Sequence, residues 1–170
     1  MTDTAKPTDR EELFAFLDRL GISVATVNHP PLFTVEQSRA LRGEIEGAHT
    51  KNLFLRDRKD RHFLLTVEED ATVDLKTIHT VIGASGRVSF GKAEALMELL
   101  GLTPGAVSLF GLINDRQGAV SFFIDERLME AEIVNAHPLT NEATTSIKSR
   151  DIARFVEATG HALNILKLSA

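Results

Sequence analysis

Residues 49–67, which read HTKNLFLRDRKDRHFLLTV, contain two apolar runs on either side of a short charged segment. This pattern predicts a β-hairpin with a polar turn. Because successive side chains of a strand point to opposite faces, the first strand directs Lys51 to the same face as Leu53 and Leu55. The same alternation directs Asn52 to the other face of the sheet.

Lys51 is an uncommon residue for an apolar strand face, because burying an uncompensated ammonium group costs free energy. One interpretation is structural: the long side chain extends to water at the end of the strand. The other is functional: the ammonium group contacts a ligand or a reacting group. The strand pattern by itself leaves both interpretations open.

Composition predicts a globular protein of one domain that spans residues 1–170, with 43% hydrophobic and 25% charged residues. No apolar run approaches the roughly 20 residues that a membrane-spanning helix needs. The N-terminal residues also lack the apolar core of a signal peptide. We therefore expect a cytoplasmic protein with no membrane partner.

The sequence lacks the residues or motifs that several classes of chemistry require. Cysteine is absent, which excludes disulfides, thiolate zinc sites and cysteine nucleophiles. The six histidines show neither an i, i+4 pair nor an H-E-x-x-H motif, so we expect no metal ion. No phosphate-binding loop, dinucleotide motif or nucleophile elbow is present, and we expect no cofactor. The formal net charge of -5 argues against binding to duplex DNA.

A local excess of positive charge surrounds the hairpin turn. Two interpretations are open: a solvated turn that protects a sheet edge, or a surface that contacts phosphates. The charged residues concerned are Lys51, Arg56, Asp57, Arg58, Lys59, Asp60 and Arg61.

Hydrophobic periodicity predicts helices and strands along the rest of the chain. Residues 102–115 are too rich in glycine and proline for a long helix and too apolar for an exposed linker, which predicts an ordered loop beside the core. The grouping of the strands predicts an α+β fold, with a mixed, mainly antiparallel sheet and flanking helices. We expect helices over 8–20, 34–41, 73–82, 91–100 and 149–159, and further strands over 22–27, 88–90, 120–124, 131–135, 142–147 and 162–168.

Polar groups at strand ends form the candidate site. His137, which precedes a proline, is by itself also typical of an ordinary turn. Together with Lys51, Asn52 and the backbone of residues 105–109, however, its imidazole would surround a phosphate or an ester and stabilise an oxyanion at a carbonyl.

Five blocks of sequence resemble those of the free-standing prolyl-tRNA editing proteins, the YbaK/ProX type. They stand in the order of that family and span most of residues 30–150. The blocks are TKNLFLRD (50–57), VDLK (73–76), LGLTPGAVS (100–108), LIND (112–115) and NAHPLTNEATT (135–145). The first and last blocks most resemble the subgroup that removes alanine from mischarged tRNA for proline.

The resemblance implies hydrolysis of an aminoacyl ester, with the 3′ end of mischarged tRNA as partner and prolyl-tRNA synthetase as a further partner. Lys51 matches a catalytic lysine that engages the terminal adenosine, Asn52 matches its neighbour in the active site, and His137 matches a histidine that places the aminoacyl group. The loop whose backbone lines the scissile carbonyl corresponds to Gly105, Ala106, Val107, Ser108 and Leu109.

Selectivity in this family would come from a small pocket that excludes proline. Phe33, with Leu32 and Phe54, is the candidate lining in this chain, although such residues more commonly belong to the core.

One position departs from the family pattern. The family usually closes its glycine loop with proline where this chain has Leu109, which restores an N–H group and frees φ. Loop rigidity is therefore in question, and a non-catalytic tRNA- or synthetase-binding module of the same fold is the alternative function. A small-molecule esterase is a third interpretation.

Overall fold

The computed structural model describes residues 7–31, 36–37, 40 and 45–170. The strands in this part of the chain are β1 (Ala25–Asn28), β2 (Ala48–Arg56), β3 (His62–Glu68), β4 (Ser89–Phe90), β5 (Val120–Asp125), β6 (Ile133–Ala136), β7 (Ala143–Lys148) and β8 (Asn164–Leu166). These eight described strands form one sheet in the order β1-β7-β6-β2-β3-β5-β8, and β4 pairs with β2.

The described helices pack around this sheet. They are α1 (Arg10–Arg19), α2 (Ile78–Ile82), α3 (Ala93–Leu100), α4 (Glu126–Glu130) and α5 (Ser149–Ala158), with 3₁₀ helices at Pro104–Ala106 and Leu109–Asn114. None of the helices in these ranges has both the length and the apolar character needed to cross a membrane. The α+β prediction is confirmed.

Strand pairing confirms a mixed, mainly antiparallel sheet. The pairs β1–β7, β2–β3, β2–β4 and β6–β7 are antiparallel. The pairs β2–β6, β3–β5 and β5–β8 are parallel. The predicted hairpin is therefore the β2–β3 pair, in which Lys51 lies opposite Val67 and Arg56 lies opposite His62.

Two of the predicted helices need comment. The helix expected over 73–82 is wrong in its first half, because the Asp74 side chain accepts a hydrogen bond from the Lys76 N–H and forms a turn. Only α2, from Ile78, is helical there. The helix expected over 34–41 falls largely on residues outside the described part of the chain.

The sheet separates two apolar clusters. On β3, Leu64 belongs to the larger cluster, whereas Phe63 and Leu65 belong to the smaller one on the opposite face. The alternation of β2 is the same, since Phe54 packs in the larger cluster and Leu55 in the smaller one. Lys51 therefore shares the face of the smaller cluster, and Asn52 shares the face of the larger one.

The charged turn lies at the opposite end of the hairpin from Lys51. Two of its four cations pair with carboxylates of the turn itself: Arg61 Nη2 lies 3.0 Å from Asp57 Oδ2, and Arg56 Nη1 lies 3.3 Å from Asp60 Oδ1. These short local pairs favour the interpretation of a solvated, self-paired turn.

Residues 102–115 form an ordered segment packed against the core, as predicted. Leu109, Phe110 and Leu112 are fully buried in the larger cluster. The Ser108 hydroxyl accepts a hydrogen bond from the Phe110 N–H and caps the second 3₁₀ helix. Leu109 is the first residue of that helix, a position where proline is also tolerated. Burial of Leu109 and capping by Ser108 thus fix the loop at the position where the family that it resembles usually has proline.

Candidate active site

His137 begins the loop that joins β6 to β7. Pro138 cannot donate to a strand ladder, and β6 ends immediately before His137. The chain then turns sharply, since the Leu139 N–H donates to the His137 carbonyl at 3.0 Å and Leu139 has a φ of 67°. This left-handed conformation is unfavourable for leucine. The packing of Leu139 against the larger cluster offsets that cost.

The imidazole of His137 has a defined hydrogen-bonding pattern. Its Nδ1 lies 3.0 Å from the carbonyl oxygen of Ala143, which can only accept, so Nδ1 carries a proton. Burial lowers the pKa of His137, the bond to Ala143 opposes this, and the nearby His29 lowers the pKa further. The net shift is downward from 6.5, so the ring is neutral at pH 7 and Nε2 presents a lone pair.

A second imidazole, that of His29, lies beside His137 with ring centroids 6.3 Å apart. Its Nε2 lies 2.9 Å from Thr144 Oγ1, and its backbone N–H donates to the Glu142 carbonyl. Sequence reasoning missed His29 as a site residue. The only local signal was its position before two prolines. Its Nδ1 contacts the neighbouring Pro30 carbonyl, but Thr144 and Glu142, which join it to the site, lie more than 100 residues away in the chain.

Strand pairing places β2 beside β6, the strand that leads to His137. The parallel ladder ends where His49 lies beside Asn135. Lys51 follows His49 by two residues on β2, and His137 follows Asn135 by two residues, immediately after β6 ends. The Lys51 ammonium donates a hydrogen bond to the Ala71 carbonyl.

The segment after β3 lies next to the same cluster. The Glu69 N–H donates to the His49 carbonyl at 2.8 Å. Glu69 raises the pKa of His137 and His49 lowers it, although burial of the ring has the largest effect. The structure therefore groups His29, His49, Glu69 and His137, and sequence reasoning singled out only the last of these.

Asn52 points away from Lys51, to the other face of the sheet. Its Oδ1 accepts a hydrogen bond from the hydroxyl of Thr66, a fully buried residue directly opposite on β3. This contact turns the amide oxygen toward Thr66 and the Nδ2 group away from it. Asn52 thus belongs to the same sheet face as residues that pack with the glycine loop.

The glycine loop, residues 105–109, contacts the loop that begins at His137. A Cβ atom at Gly105 would lie 3.5 Å from Nδ2 of Asn141, so the 3₁₀ turn of residues 104–106 packs against the segment that follows His137. Within the described residues, the backbone N–H groups of Val107 and Ser108 donate no hydrogen bond. Unpaired N–H groups are rare in buried segments and are the donors that an oxyanion requires.

The remaining predicted residues divide into two groups. Phe33 and Leu32 lie outside the described part of the chain. Phe54 is buried in the larger cluster, where its ring stacks on that of His62 at 5.2 Å. Phe54 therefore belongs to the core.

Other hollows lie away from this cluster. A cavity of about 470 Å³ between α1 and the end of α5 is lined by Thr8, Glu12, Ala15, Phe16, Arg19, Ile113, Arg116, Ala158 and Thr159. It shares no lining residue with the histidine cluster. In the ranges that the structure describes, no group of three or more histidine, aspartate or glutamate side chains is arranged to hold a metal ion.

Comparison with protein families gives a match to the aminoacyl-tRNA editing domain over residues 29–155. The chain belongs to the aminoacyl-tRNA editing domain family. The matched range includes every residue of the cluster, from His29 through the glycine loop to His137.

Individual relatives align over nearly the whole chain. The prolyl-tRNA editing protein ProX of Acetoanaerobium sticklandii is 35% identical over 160 residues, covering 94% of this chain and 97% of that protein. The prolyl-tRNA synthetase associated domain-containing protein 1 of Danio rerio is 36% identical over 163 residues, covering 94% and 88% of the two chains.

Solved structures share the fold at lower identity. The crystal structure of hypothetical protein APE2540 superposes with a TM-score of 0.73 at 20% identity, covering 93% of this chain and 99% of that one. That of a candidate trans-editing enzyme for prolyl tRNA synthetase gives a TM-score of 0.70 at 19% identity, covering 96% and 99%.

Proposed function

We propose that residues 1–170 form one editing domain that hydrolyses the ester of mischarged tRNA for proline, with alanyl-tRNA for proline as its substrate. The observation that carries this proposal is the parallel pairing of β2 with β6, whose last pair, His49 with Asn135, lies two residues before Lys51 and His137 in the chain. The ProX relative, named as a prolyl-tRNA editing protein, supports the same reaction class. Prolyl-tRNA synthetase, which would form the mischarged product, is the proposed further partner.

Lys51 is proposed to hold the terminal adenosine end of the tRNA. An ammonium group has three donors. One of them is directed to the Ala71 carbonyl, which fixes the side chain at the strand end. The other two donors are then available for a phosphate or ribose oxygen of the substrate.

His137 is proposed to place the aminoacyl group. With its proton on Nδ1, the neutral ring offers Nε2 as an acceptor for the ammonium group of the bound amino acid. An imidazolium would instead repel that ammonium group. The lowered pKa of His137, caused mainly by burial, supports this role.

The backbone of the glycine loop is proposed to stabilise the oxyanion. Water adds to the ester carbonyl carbon, and the carbonyl oxygen becomes negatively charged. The N–H groups of Val107 and Ser108 would donate hydrogen bonds to this oxyanion and stabilise it. The bond to the ribose oxygen then breaks, releasing the amino acid and the tRNA hydroxyl. The vicinal ribose hydroxyl would orient the water, and Nδ2 of Asn52 would support the loop side of the site.

Selectivity for alanine is proposed to come from exclusion of larger amino acids. In a second-sieve arrangement, a pocket admits only side chains small enough to enter. The rigid loop from Gly105 to Leu109, fixed by burial of Leu109, would form one wall. Phe33 remains a proposed lining residue.

The experiment is a deacylation assay with alanyl-, seryl-, threonyl-, cysteinyl- and prolyl-tRNA for proline. We expect rapid release of alanine and at least tenfold slower release of proline. Intact esters on all five substrates would overturn the proposed hydrolysis. Binding of mischarged tRNA without turnover would favour the non-catalytic binding module, and equal turnover of simple amino-acid esters without tRNA would favour the esterase.

A further inference from the structure

A hollow of about 380 Å³ lies at the start of α5, away from the histidine cluster. Three of its lining side chains are cations, and one is a carboxylate. The residues that line it are Gly21, Ser23, Lys148, Arg150, Asp151 and Arg154. A smaller depression of about 160 Å³ beside it is lined by Lys148, Arg150, Ser149 and Glu132.

The cations of this hollow differ in how they are used. Arg154 Nη1 lies 3.3 Å from the Asp151 carboxylate, and its Nη2 donates to the Leu20 carbonyl, so this guanidinium is committed to the fold. Lys148 and Arg150 are exposed. Across the described ranges, neither of these two forms an ion pair. Their charges are therefore available to an anion.

The backbone adds donors to the same place. Lys148 occupies the N-cap position of α5, and its side chain does not cap the helix. The Ser149 N–H donates to the Glu132 carbonyl at 3.1 Å. The other N–H groups of the first turn and the positive end of the helix dipole face the region of Lys148 and Arg150. Exposed cations beside uncapped N–H groups are the donor set that binds a phosphate group.

The hollow stands at a defined distance from the candidate active site along β7. This strand begins at Ala143, whose carbonyl accepts from His137, and ends at Lys148. Five residue steps of about 3.4 Å give roughly 17 Å between these ends. Alternation also places Lys148 on the same sheet face as Thr144, which contacts His29. A stacked nucleic-acid strand carries one phosphate about every 3.4 Å of its axis, so about five nucleotides span this distance.

We propose that the hollow at the start of α5 binds a backbone phosphate of an RNA strand whose 3′ end lies at His137. Lys148 and Arg150 supply the charge, and the first-turn N–H groups of α5 that follow Ser149 supply directed donors. The proposal rests on the proposed function for the position of the 3′ end. The phosphate contact itself has a separate readout, which is tRNA binding.

The test compares the double variant Lys148→Gln/Arg150→Gln with Lys92→Gln/Lys167→Gln, which removes the same charge from two other exposed cations. We expect the first variant to raise KM for alanyl-tRNA about tenfold at unchanged kcat. The slope of the logarithm of its tRNA-binding constant against the logarithm of the salt concentration should become less steep by about 0.7 for each phosphate that the variant no longer binds. Alanyl-adenosine, which has the ester but no backbone phosphate, should react at the wild-type rate, and the control variant should resemble wild type.

Binding of uncharged tRNA separates the two proposals. If wild type binds tRNA but hydrolyses no ester, the proposed function fails, and the double variant should still bind about tenfold more weakly than the control. Unchanged tRNA affinity and salt dependence in the double variant would overturn the phosphate site. Loss of inorganic phosphate binding with unchanged tRNA affinity would also overturn it, since the ligand would then be free phosphate. Equal urea midpoints of the two variants exclude misfolding as the cause.

Discussion

The Nδ1 atom of His137 lies 3.0 Å from the carbonyl oxygen of Ala143, across the loop that joins β6 to β7. This bond fixes which nitrogen carries the proton and which presents a lone pair. It also joins the ring to Ala143, the first residue of β7. The next residue, Thr144, contacts His29. The chemistry of the site therefore depends on a neutral, oriented imidazole.

Deacylation should be lost on the acid side of neutrality. Burial lowers the pKa of His137 below 6.5, so the ring is neutral above that value and gains a proton only at lower pH. We expect kcat/KM, measured against pH, to decrease from its value at pH 7 as the pH falls below 6.5. His137→Asn keeps a donor for Ala143 but removes the Nε2 acceptor, and should lower kcat/KM about tenfold or more without that acid limb. An unchanged acid limb in the variant would assign the titration to another group.

Lys51→Met should reduce the rate of alanine release about 100-fold or more. Methionine keeps most of the apolar stem but removes the charge, the donor to the Ala71 carbonyl and the two donors proposed for the substrate. The measurement is single-turnover deacylation of alanyl-tRNA. Lys59→Met is the matched control, because Lys59 is an exposed lysine in the turn at the far end of the same hairpin. A Lys51→Met protein with more than half of the wild-type rate would remove Lys51 from the proposed mechanism.

Asp57→Asn should destabilise the protein and change its response to acid. Burial raises the pKa of Asp57, but hydrogen bonds from the backbone of Ser85, Arg61 and Lys59 and from the Arg61 side chain outweigh it and bring the pKa to about 2. The stabilisation is complete above the ordinary value of 3.8 and is lost as the pH falls from there toward 2. We expect the substitution to lower the free energy of unfolding at pH 7 by about 1–3 kcal/mol.

Urea unfolding at several pH values measures both effects. Asp60→Asn is the control, since Asp60 is exposed, pairs only with Arg56 among the described residues, and has a left-handed φ of 59° that asparagine accepts. It should change stability by less than about 1 kcal/mol. Equal effects of the two substitutions would show that the buried carboxylate does not hold the turn.

Local hydrophobic patterns predicted most of the fold because they indicate which residues of a strand or helix face the core. The alternation around Leu53 and Leu55 predicted β2, and the gap between the apolar runs predicted its partner. The helix predicted from Val73 failed in its first half because Asp74 offers the backbone an alternative bond, which periodicity does not register.

The site was less predictable, because its contacts join distant segments. Lys51 and His137 stood out through motifs, but the contact between His29 and Thr144 spans 115 residues and leaves no local trace. The separation of Lys51 from Asn52 followed from strand alternation. The glycine loop's proximity to Asn141 depended on how the tertiary structure closes.

The alternation of β2 has a consequence for changes in chain length. Inserting or deleting one residue in the loop before Ala48 would leave the strand's composition intact, yet a compensating slip by one position would exchange its two sides. The ammonium group would then enter the larger apolar layer, while Phe54 would leave it. The register of β2 is thus constrained from both sides of the sheet at once, and relatives that keep this chemistry should keep that register.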